Sequence, residues 1–341
     1  MLRETLRRVA NGKVLTEGEA ERALETIMEG DAPPAATAAL LTALRVRGER
    51  VPEIVGFARA MRRFAAKVEA PDGVVDTCGT GGDAKGSINV STAAAFVARG
   101  AGVMVAKHGN RAATSQAGSA DVLEALGAGI ELGPEQVSRC IAEAGIGFMF
   151  ARTHHPAMRF VAPVRAELPF RTVFNLLGPL TNPAGARRQL VGVFGGAYVR
   201  PVAEALRDLG AEKALVVHGT DGMDEITVTD KTLVADVADG ALEEYEISPE
   251  DVGLSRHAPD GLLGGDAHLN ARILRDILTG EERGACRDIV LLNAGAAIHV
   301  SGKAKTVEEG VLLARDSIND GAAASALENF IRTTRRLSGT V

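Results

Sequence analysis

Residues 74 to 92 read Val-Val-Asp-Thr-Cys-Gly-Thr-Gly-Gly-Asp-Ala-Lys-Gly-Ser-Ile-Asn-Val-Ser-Thr, and this stretch decides the fold. A short apolar run turns through Gly79, Gly81 and Gly82 and then enters an alanine-rich helical pattern. Glycine lets the backbone adopt conformations closed to other residues and lets a ligand come close to its N–H groups. A strand that passes through such a turn into a hydroxyl-capped helix is a physical recipe for holding phosphate. Taken alone, the cluster reads equally well as a tight turn, so its neighbours must decide.

Upstream, the first 70 residues carry helical patterns and no strand. Thr16 with Glu19 three positions on is a capping box that opens a helix over Glu17 to Glu29. Pro34 starts a second helix that stops at Gly48, and a third follows Pro52, before Ala70-Pro71-Asp72-Gly73 breaks the pattern. Downstream, strands and helices alternate. Val103 to Lys107, Gly147 to Phe150, Leu190 to Phe194 and Lys213 to His218 are strand candidates, and Val228 to Ile247 suggests a hairpin or meander. Ser119 is a candidate cap for a helix over Ala120 to Leu126, and Pro134 to Ala144 forms the next helix. Helices are expected over Asp266 to Leu278, Asp288 to Val300, Val307 to Asp316 and Ala322 to Leu337. The expected fold is α/β: a small all-helical N-terminal domain and a larger domain with a mostly parallel central sheet covered by helices. The small domain spans 1–70, with helices from about 156–187 packing on it. Residues 71–155 and 188–341 form the larger one.

Composition agrees with this class. The chain is 46% hydrophobic but only 4% aromatic, so Ala, Val, Leu and Ile must build the core, as in helices packed on a buried parallel sheet. The net charge of −6, without a basic run, speaks against nucleic acid. Three cysteines, far apart, give no metal-ligand spacing and fit a reducing cytoplasm. Cys78, inside the glycine loop, reads as a small buried filler. The first residues lack an apolar signal core, and no run reaches the roughly 18 apolar residues of a membrane span. A soluble, cytoplasmic protein is expected.

Four polar clusters fall after strands, where open α/β sheets bind ligands. The first is Gly79 to Asp83 with Asn89 to Thr92. Lys107-His108-Gly109-Asn110-Arg111, leading to Ser119, supplies cations and hydroxyls suited to a polyphosphate. The third, His218 to Glu225, ends in adjacent carboxylates, Asp224 and Glu225, of the kind that hold Mg²⁺ together with substrate oxygens. The fourth is His154-His155-Pro156 with Arg165, Asn175 and Gly178-Pro179. Each has a plainer reading: Lys107 and Arg111 as a solvated turn, Asp224-Glu225 as surface, the histidines as packing. Their co-occurrence favours one anion-and-metal site.

These motifs carry a specific resemblance. Asp76 to Asp83, Asn89 to Thr92, Lys107 to Arg111, Gly118-Ser119-Ala120-Asp121, the run Asn175-Leu-Leu-Gly-Pro-Leu-Thr-Asn-Pro183, Asp224-Glu225 and Leu292 to Ala296 are similar to the anthranilate phosphoribosyltransferase family of tryptophan biosynthesis. That family has the nucleoside phosphorylase/phosphoribosyltransferase fold. The match runs in order through almost the whole chain. One departure is visible: Ala112 and Ala113 stand where the family often has a serine.

The resemblance implies transfer of the phosphoribosyl group of 5-phosphoribosyl 1-diphosphate (PRPP) to the amine of anthranilate. By motif position it implies that PRPP meets Gly79, Gly82, Asp83, Ser87, Asn89, Val90, Ser91, Thr92, Lys107, His108, Gly109, Asn110, Arg111, Ala112, Ala113, Thr114, Ser115 and Ser119. It implies that Ser91, Asp224 and Glu225 hold Mg²⁺, as two ions with PRPP. Gly79, Asn110, His155, Arg165 and Pro179 would line the anthranilate path, Arg165 facing its carboxylate. Anthranilate's amine already has a lone pair, so no general base is nominated. The resemblance also implies a homodimer through the N-terminal helices. Two rivals are weighed. The Ser-Gly-Arg and Thr-Gly-Gly-Thr elements of a pyrimidine nucleoside phosphorylase are missing here. A non-enzymatic nucleic-acid-binding relative would need a basic face.

Overall fold

The computed structural model describes residues 2–83, 85–112 and 116–339. The chain opens with four helices, α1 (Leu2–Ala10), α2 (Glu17–Met28), α3 (Pro34–Arg47) and α4 (Val51–Phe64). Thr16 and Glu19 form the expected capping box, with the Thr16 N–H donating to Glu19 Oε2 at 2.9 Å. Gly56 lets α4 press onto α2, since a methyl group there would run into the Glu17 carbonyl.

After this bundle the alternation begins: β1 (Val75–Gly79), α5 (Val90–Gly100), β2 (Val105–Gly109), α6 (Ser119–Ala125), α7 (Pro134–Ala144) and β3 (Ile146–Phe150). The proline-broken stretch that follows holds only short pieces, α8 (Ala151–His154), α9 (Ala162–Ala166) and α10 (Phe174–Leu177). Then come β4 (Arg188–Gly192), α11 (Val199–Asp208) and β5 (Lys213–Gly219). A hairpin, β6 (Thr232–Ala238) and β7 (Ala241–Ile247), turns at Asp239-Gly240, both with positive φ, as a two-residue turn requires. The chain ends in α12 (Ala267–Thr279), α13 (Ala285–Ser301), α14 (Val307–Asn319) and α15 (Ala322–Ser338).

The architecture expected from sequence holds: a small helical N-terminal part and a larger α/β part with a seven-stranded sheet, ordered β3-β2-β1-β4-β5-β6-β7. The first five strands in that order are parallel, and β6 and β7 are antiparallel. Two strands are displaced from expectation by two residues, and two others are each one residue longer. The second strand lies two residues later than Val103 to Lys107, and the fourth lies two earlier than Leu190 to Phe194. The reason is register. Val75 pairs with both Val105 and Arg188, so the central strand sets where its neighbours begin, and apolar content does not. Ser119 is likewise not a cap. The helix starts on it, its hydroxyl donates to the Asn110 carbonyl at 3.2 Å, and the Asp121 carboxylate accepts the Gly118 N–H at 2.9 Å.

Alternation along the strands divides the core. Leu190, Leu215 and Val217 join the cluster under α5, α13 and α15, while Val191, Val193, Ala214 and Val216 face α11. That second cluster is continuous with Leu24, Leu40 and Phe57 of the helical bundle and with Val161, Val164 and Leu177 of the proline-broken segment. α13 and α14 approach closely where Gly295 meets Gly310, which leaves no room for a methyl group on either. This sets α13 against the sheet, where its buried Asn293 reaches the site.

Candidate active site

β1 lies between β2 and β4 in a sheet that the chain winds outward in both directions, so the gap beyond the C-terminal ends of β1 and β4 is a topological switch point. Gly79 and Gly192 pair there at the two strand ends. Into that gap the loop after β5 delivers Asp224. A methyl group on Gly79 would lie 2.5 Å from Asp224 Oδ2, and one on Gly192 would collide with the Asp224 carbonyl. Only glycine at both ends admits the carboxylate.

Asp224 Oδ2 accepts the Gly81 N–H at 2.7 Å, and Glu225 Oε1 accepts the Ser91 N–H at 3.2 Å. The carboxylate pair thus ties the glycine loop to the start of α5. Gly81 and Gly82 both take positive φ, 68° and 83°, which makes them necessary as glycines here. Asn293 fixes the pair from behind by accepting the Ile226 N–H at 3.0 Å and donating to the Ile226 carbonyl at 2.8 Å. Burial, with the Asp83 charge adding to it, pushes the Asp224 carboxyl up to about 7. Burial and then the Asp224 charge push Glu225 well above the usual carboxylate range, and the Lys107 ammonium opposes them.

Two crowded carboxylates that resist ionisation are suited to a cation. Among the described residues no group of three or more His, Cys, Asp or Glu forms a ready metal cage. A pair of carboxylates beside a serine hydroxyl is what Mg²⁺ accepts when substrate oxygens and water supply the remaining positions. The donor set fits that ion.

Beneath the loop, Lys107 is buried. Its ammonium donates to the Thr77 carbonyl and, at 3.2 Å, to Ser91 Oγ. Burial lowers its pKa, and nearby Asp76 resists the shift. Lys107 therefore braces Ser91 from below. Asp76 is itself buried, accepting the His108 N–H at 3.1 Å and the Asn182 side-chain amide at 2.7 Å. Asn89 donates to the Ala117 carbonyl and accepts from Asn270, while Ser87 forms a bridge with Leu263. Val90 and Thr92 are buried on α5. Cys78 is buried, and burial holds its thiol well above the usual range, which suits a filler and not a nucleophile.

Arg111 is already engaged: it pairs with Asp121 and Glu124, each at 2.8 Å. The Ala112 N–H donates to Asp121 as well. Ala113, Thr114 and Ser115 lie outside the described residues.

The proline-broken segment crosses the same strand ends. His108 Nδ1 lies 3.2 Å from the Gly178 carbonyl, so it carries the proton and leaves Nε2 as an acceptor. His155 Nε2, 3.2 Å away, is then the donor to His108 Nε2, and its buried Nδ1 has no partner among the described residues. Pro179 is buried, with its carbonyl accepting from Gln189. Arg165 has no carboxylate partner among the described residues. Its guanidinium stands 5.4 Å from the centroid of the Phe174 ring, and burial lowers its pKa. Sequence reading quoted Asp76, Asn182 and Asn293 within motifs but gave them no role, and it missed Arg171, whose guanidinium donates to the Gly82 carbonyl. Only Asn293 carried a signal, as a lone amide in the apolar run from Ile289 to Ala294.

A cavity of about 520 Å³ opens at the opposite end of the strands, beside the N-terminal ends of β1, β2, β4 and β5, lined by Arg187, Arg188, Glu212 and Lys303 among others. It is not where these groups converge. Arg188 donates to the Ser301 carbonyl at the end of α13, so its charge serves a helix terminus.

The histidine pair has a pH signature. Burial pushes His108 down to about 3 and His155 down to about 4 from an ordinary 6.5. Between these values the unfolded chain binds protons that the native one refuses, so stability falls as pH is lowered from 6.5. Replacing both with glutamine should flatten the fall of the urea midpoint between pH 6.5 and 4. Each histidine accounts for up to about 1.4 kcal/mol per pH unit. An unchanged slope would mean that the pair titrates normally in the fold.

Known proteins share this fold. Residues 71–324 match the glycosyl transferase family a/b domain, and residues 3–65 match its helical bundle domain. The chain is 81% identical over 339 residues to anthranilate phosphoribosyltransferase of Rubrobacter xylanophilus, covering 99% of each chain. It is 55% identical to that of Azorhizobium caulinodans, covering 99% of this chain and 98% of the other. The crystal structure of the Thermus thermophilus enzyme superposes with a TM-score of 0.92 at 49% identity, covering 97% of this chain and 99% of that one. The Saccharomyces cerevisiae enzyme, in complex with PRPP and Mg, gives 0.90 at 28% identity and 98% of each chain. With that likeness over nearly its whole length, bundle and sheet alike, the chain belongs to the anthranilate phosphoribosyltransferase family.

Proposed function

We propose that the protein transfers the phosphoribosyl group of PRPP to the amine of anthranilate, giving N-(5-phosphoribosyl)anthranilate and pyrophosphate, in tryptophan biosynthesis. The observation that carries this reading is the joining of the glycine loop and the start of α5 by a pair of adjacent carboxylates at one switch point. The anthranilate nitrogen lone pair forms the new bond to C1 of the ribose. The C1–oxygen bond breaks, its electrons leave with pyrophosphate, and the nitrogen sheds a proton to water.

On this reading Gly79, Gly82, Asp83, Ser87 and the Asn89 to Thr92 turn meet the PRPP phosphates through backbone N–H groups and hydroxyls. Lys107 holds Thr77 and Ser91 beneath them. Residues 108–112 and Ser119 close the other side, and the family motif adds Ala113, Thr114 and Ser115 to the PRPP contacts. Ser91, Asp224 and Glu225 would hold Mg²⁺, as two ions with PRPP, and the bound ion would supply charge stabilisation for the departing pyrophosphate. Gly79, Asn110, His155 and Pro179 line the acceptor's path, and Arg165, without a counter-ion among the described residues, receives its carboxylate. Holding two substrates in line supplies much of the remaining rate.

The domain division at residues 70, 155 and 188 and a homodimer through the N-terminal helices belong to the same reading. Val46 on α3 and Val14 beside α2 are 83% and 44% exposed, apolar surface suited to a second copy. Three free cysteines suit the cytoplasm. Light scattering at micromolar concentration should give the mass of two chains, and cell fractionation should put the protein with cytosolic markers. A monomer, or a membrane fraction, would overturn the respective point.

Loss of anthranilate fluorescence in the presence of PRPP and Mg²⁺ tests the activity directly, with no tryptophan in the chain to add background. The double variant Asp224→Asn/Glu225→Gln should lose at least about a hundredfold in turnover. It should keep or raise its urea midpoint, because each change replaces a crowded carboxyl that resists ionisation with a neutral amide of the same shape. Near-normal Mg²⁺-dependent turnover would remove the pair from the site. Arg165→Ala should raise the KM for anthranilate about tenfold or more and leave that for PRPP within about twofold. Equal rises in both would assign Arg165 to structure.

A further inference from the structure

Arg171 touches two parts of the sheet end that are distant in sequence. Its guanidinium donates to the Gly82 carbonyl in the glycine loop, and its Cζ lies 4.2 Å from the centroid of the Phe194 ring just after β4. The Phe194 N–H donates to Thr80 Oγ1 at 3.0 Å, so Phe194 also holds the start of the same loop. The Phe194 ring meets Tyr198 nearly edge-on with centroids 4.9 Å apart, and the Tyr198 hydroxyl accepts from Arg45 of α3 at 3.0 Å. The series from the glycine loop through Arg171, Phe194 and Tyr198 to α3 is unbroken. No carboxylate among the described residues pairs with Arg171, so its charge is directed at a backbone carbonyl.

That carbonyl decides where a neighbouring donor points. The peptide between Gly82 and Asp83 is trans, as are all the described peptides. In a planar trans peptide the C=O and N–H point to opposite sides. With the Gly82 carbonyl turned to Arg171, the Asp83 N–H is turned away from it, and this N–H has no acceptor among the described residues. Gly81 and Gly82 sit at positive φ, where glycine leaves the peptide free to flip unless an outside group holds it.

We propose that Arg171 is a positioning residue for the phosphoribosyl donor. It fixes the Gly82–Asp83 peptide so that the Asp83 N–H is presented to a substrate phosphate, and the Phe194 ring seats its guanidinium. This rests on the functional reading above and adds to it a residue that touches neither substrate. Arg171→Ala should raise the KM for PRPP about tenfold, with the KM for anthranilate and kcat within about twofold. Arg171→Lys, which keeps a charged donor, should recover part of the loss, and Phe194→Leu should move the PRPP KM in the same direction by less. The thermal midpoint of Arg171→Ala should stay close to that of the wild type. Calorimetry with PRPP and Mg²⁺ alone, without acceptor, separates the two levels of inference. A wild type that binds PRPP but consumes no anthranilate overturns only the acceptor reading. Equal PRPP binding by wild type and Arg171→Ala overturns the positioning role, as does a joint rise of both KM values with a lowered thermal midpoint.

Discussion

The fit of Asp224 between Gly79 and Gly192 is the constraint on which the rest of the site depends. Two adjacent parallel strands must end in register, and both must end in glycine, for a carboxylate from a third connection to enter between them. Once inside, Asp224 anchors the Gly81 N–H, and Glu225, one residue on, anchors the start of α5. The geometry has an electrostatic cost. Asp224 is buried and Glu225 half-buried, with Asp83 nearby, so ionisation is disfavoured; the Gly81 N–H opposes this at Asp224, and Lys107 with the Ser91 N–H opposes it at Glu225. A cation arriving with a polyphosphate relieves that cost, so binding energy is stored as like-charge crowding.

A second layer of buried polar groups connects this gap to the helical segment that crosses it. Asp76 on β1 bonds the β2 backbone at His108 and the Asn182 amide, and His108 reaches the Gly178 carbonyl. Buried polar networks are costly unless satisfied, and this one is satisfied mainly across elements. It fixes the proline-broken segment at the mouth of the sheet, where neither its short helices nor its apolar contacts would set an orientation. The neutral state of both histidines follows from the same burial and keeps extra positive charge off the segment.

The fold was legible because the signals were local. Thr16 with Glu19, Pro34 with Gly48, and the alternation after Val74 mark their elements within a few residues. Strand bounds were less legible, since Val105 and Arg188 begin where Val75 requires. The glycine loop and Asp224-Glu225 stood out as polar punctuation at strand ends. The role of Asn182 did not, because a buried amide and a surface amide look alike in a single sequence, and Asn293 was marked only by the apolar run around it. Arg171 was invisible for a similar reason: its partners are a carbonyl and an aromatic ring that only the fold brings near.

An acidic chain that handles a polyanion must divide labour between its cations and its backbone. Lys107 turns inward to Thr77 and Ser91, Arg111 is held by Asp121 and Glu124, and Arg171 is aimed at a carbonyl. Each of these cations shapes the walls and keeps its charge largely spoken for. What remains for a phosphate, among the described residues, is the Gly82 and Asp83 N–H groups of the glycine loop and the hydroxyls of Ser87 and Ser91. Fixed N–H dipoles favour anions without the long-range pull of free cations. Selectivity then follows from shape, because only a ligand that brings its phosphates to those N–H groups and a metal ion to Asp224 and Glu225 satisfies both halves at once.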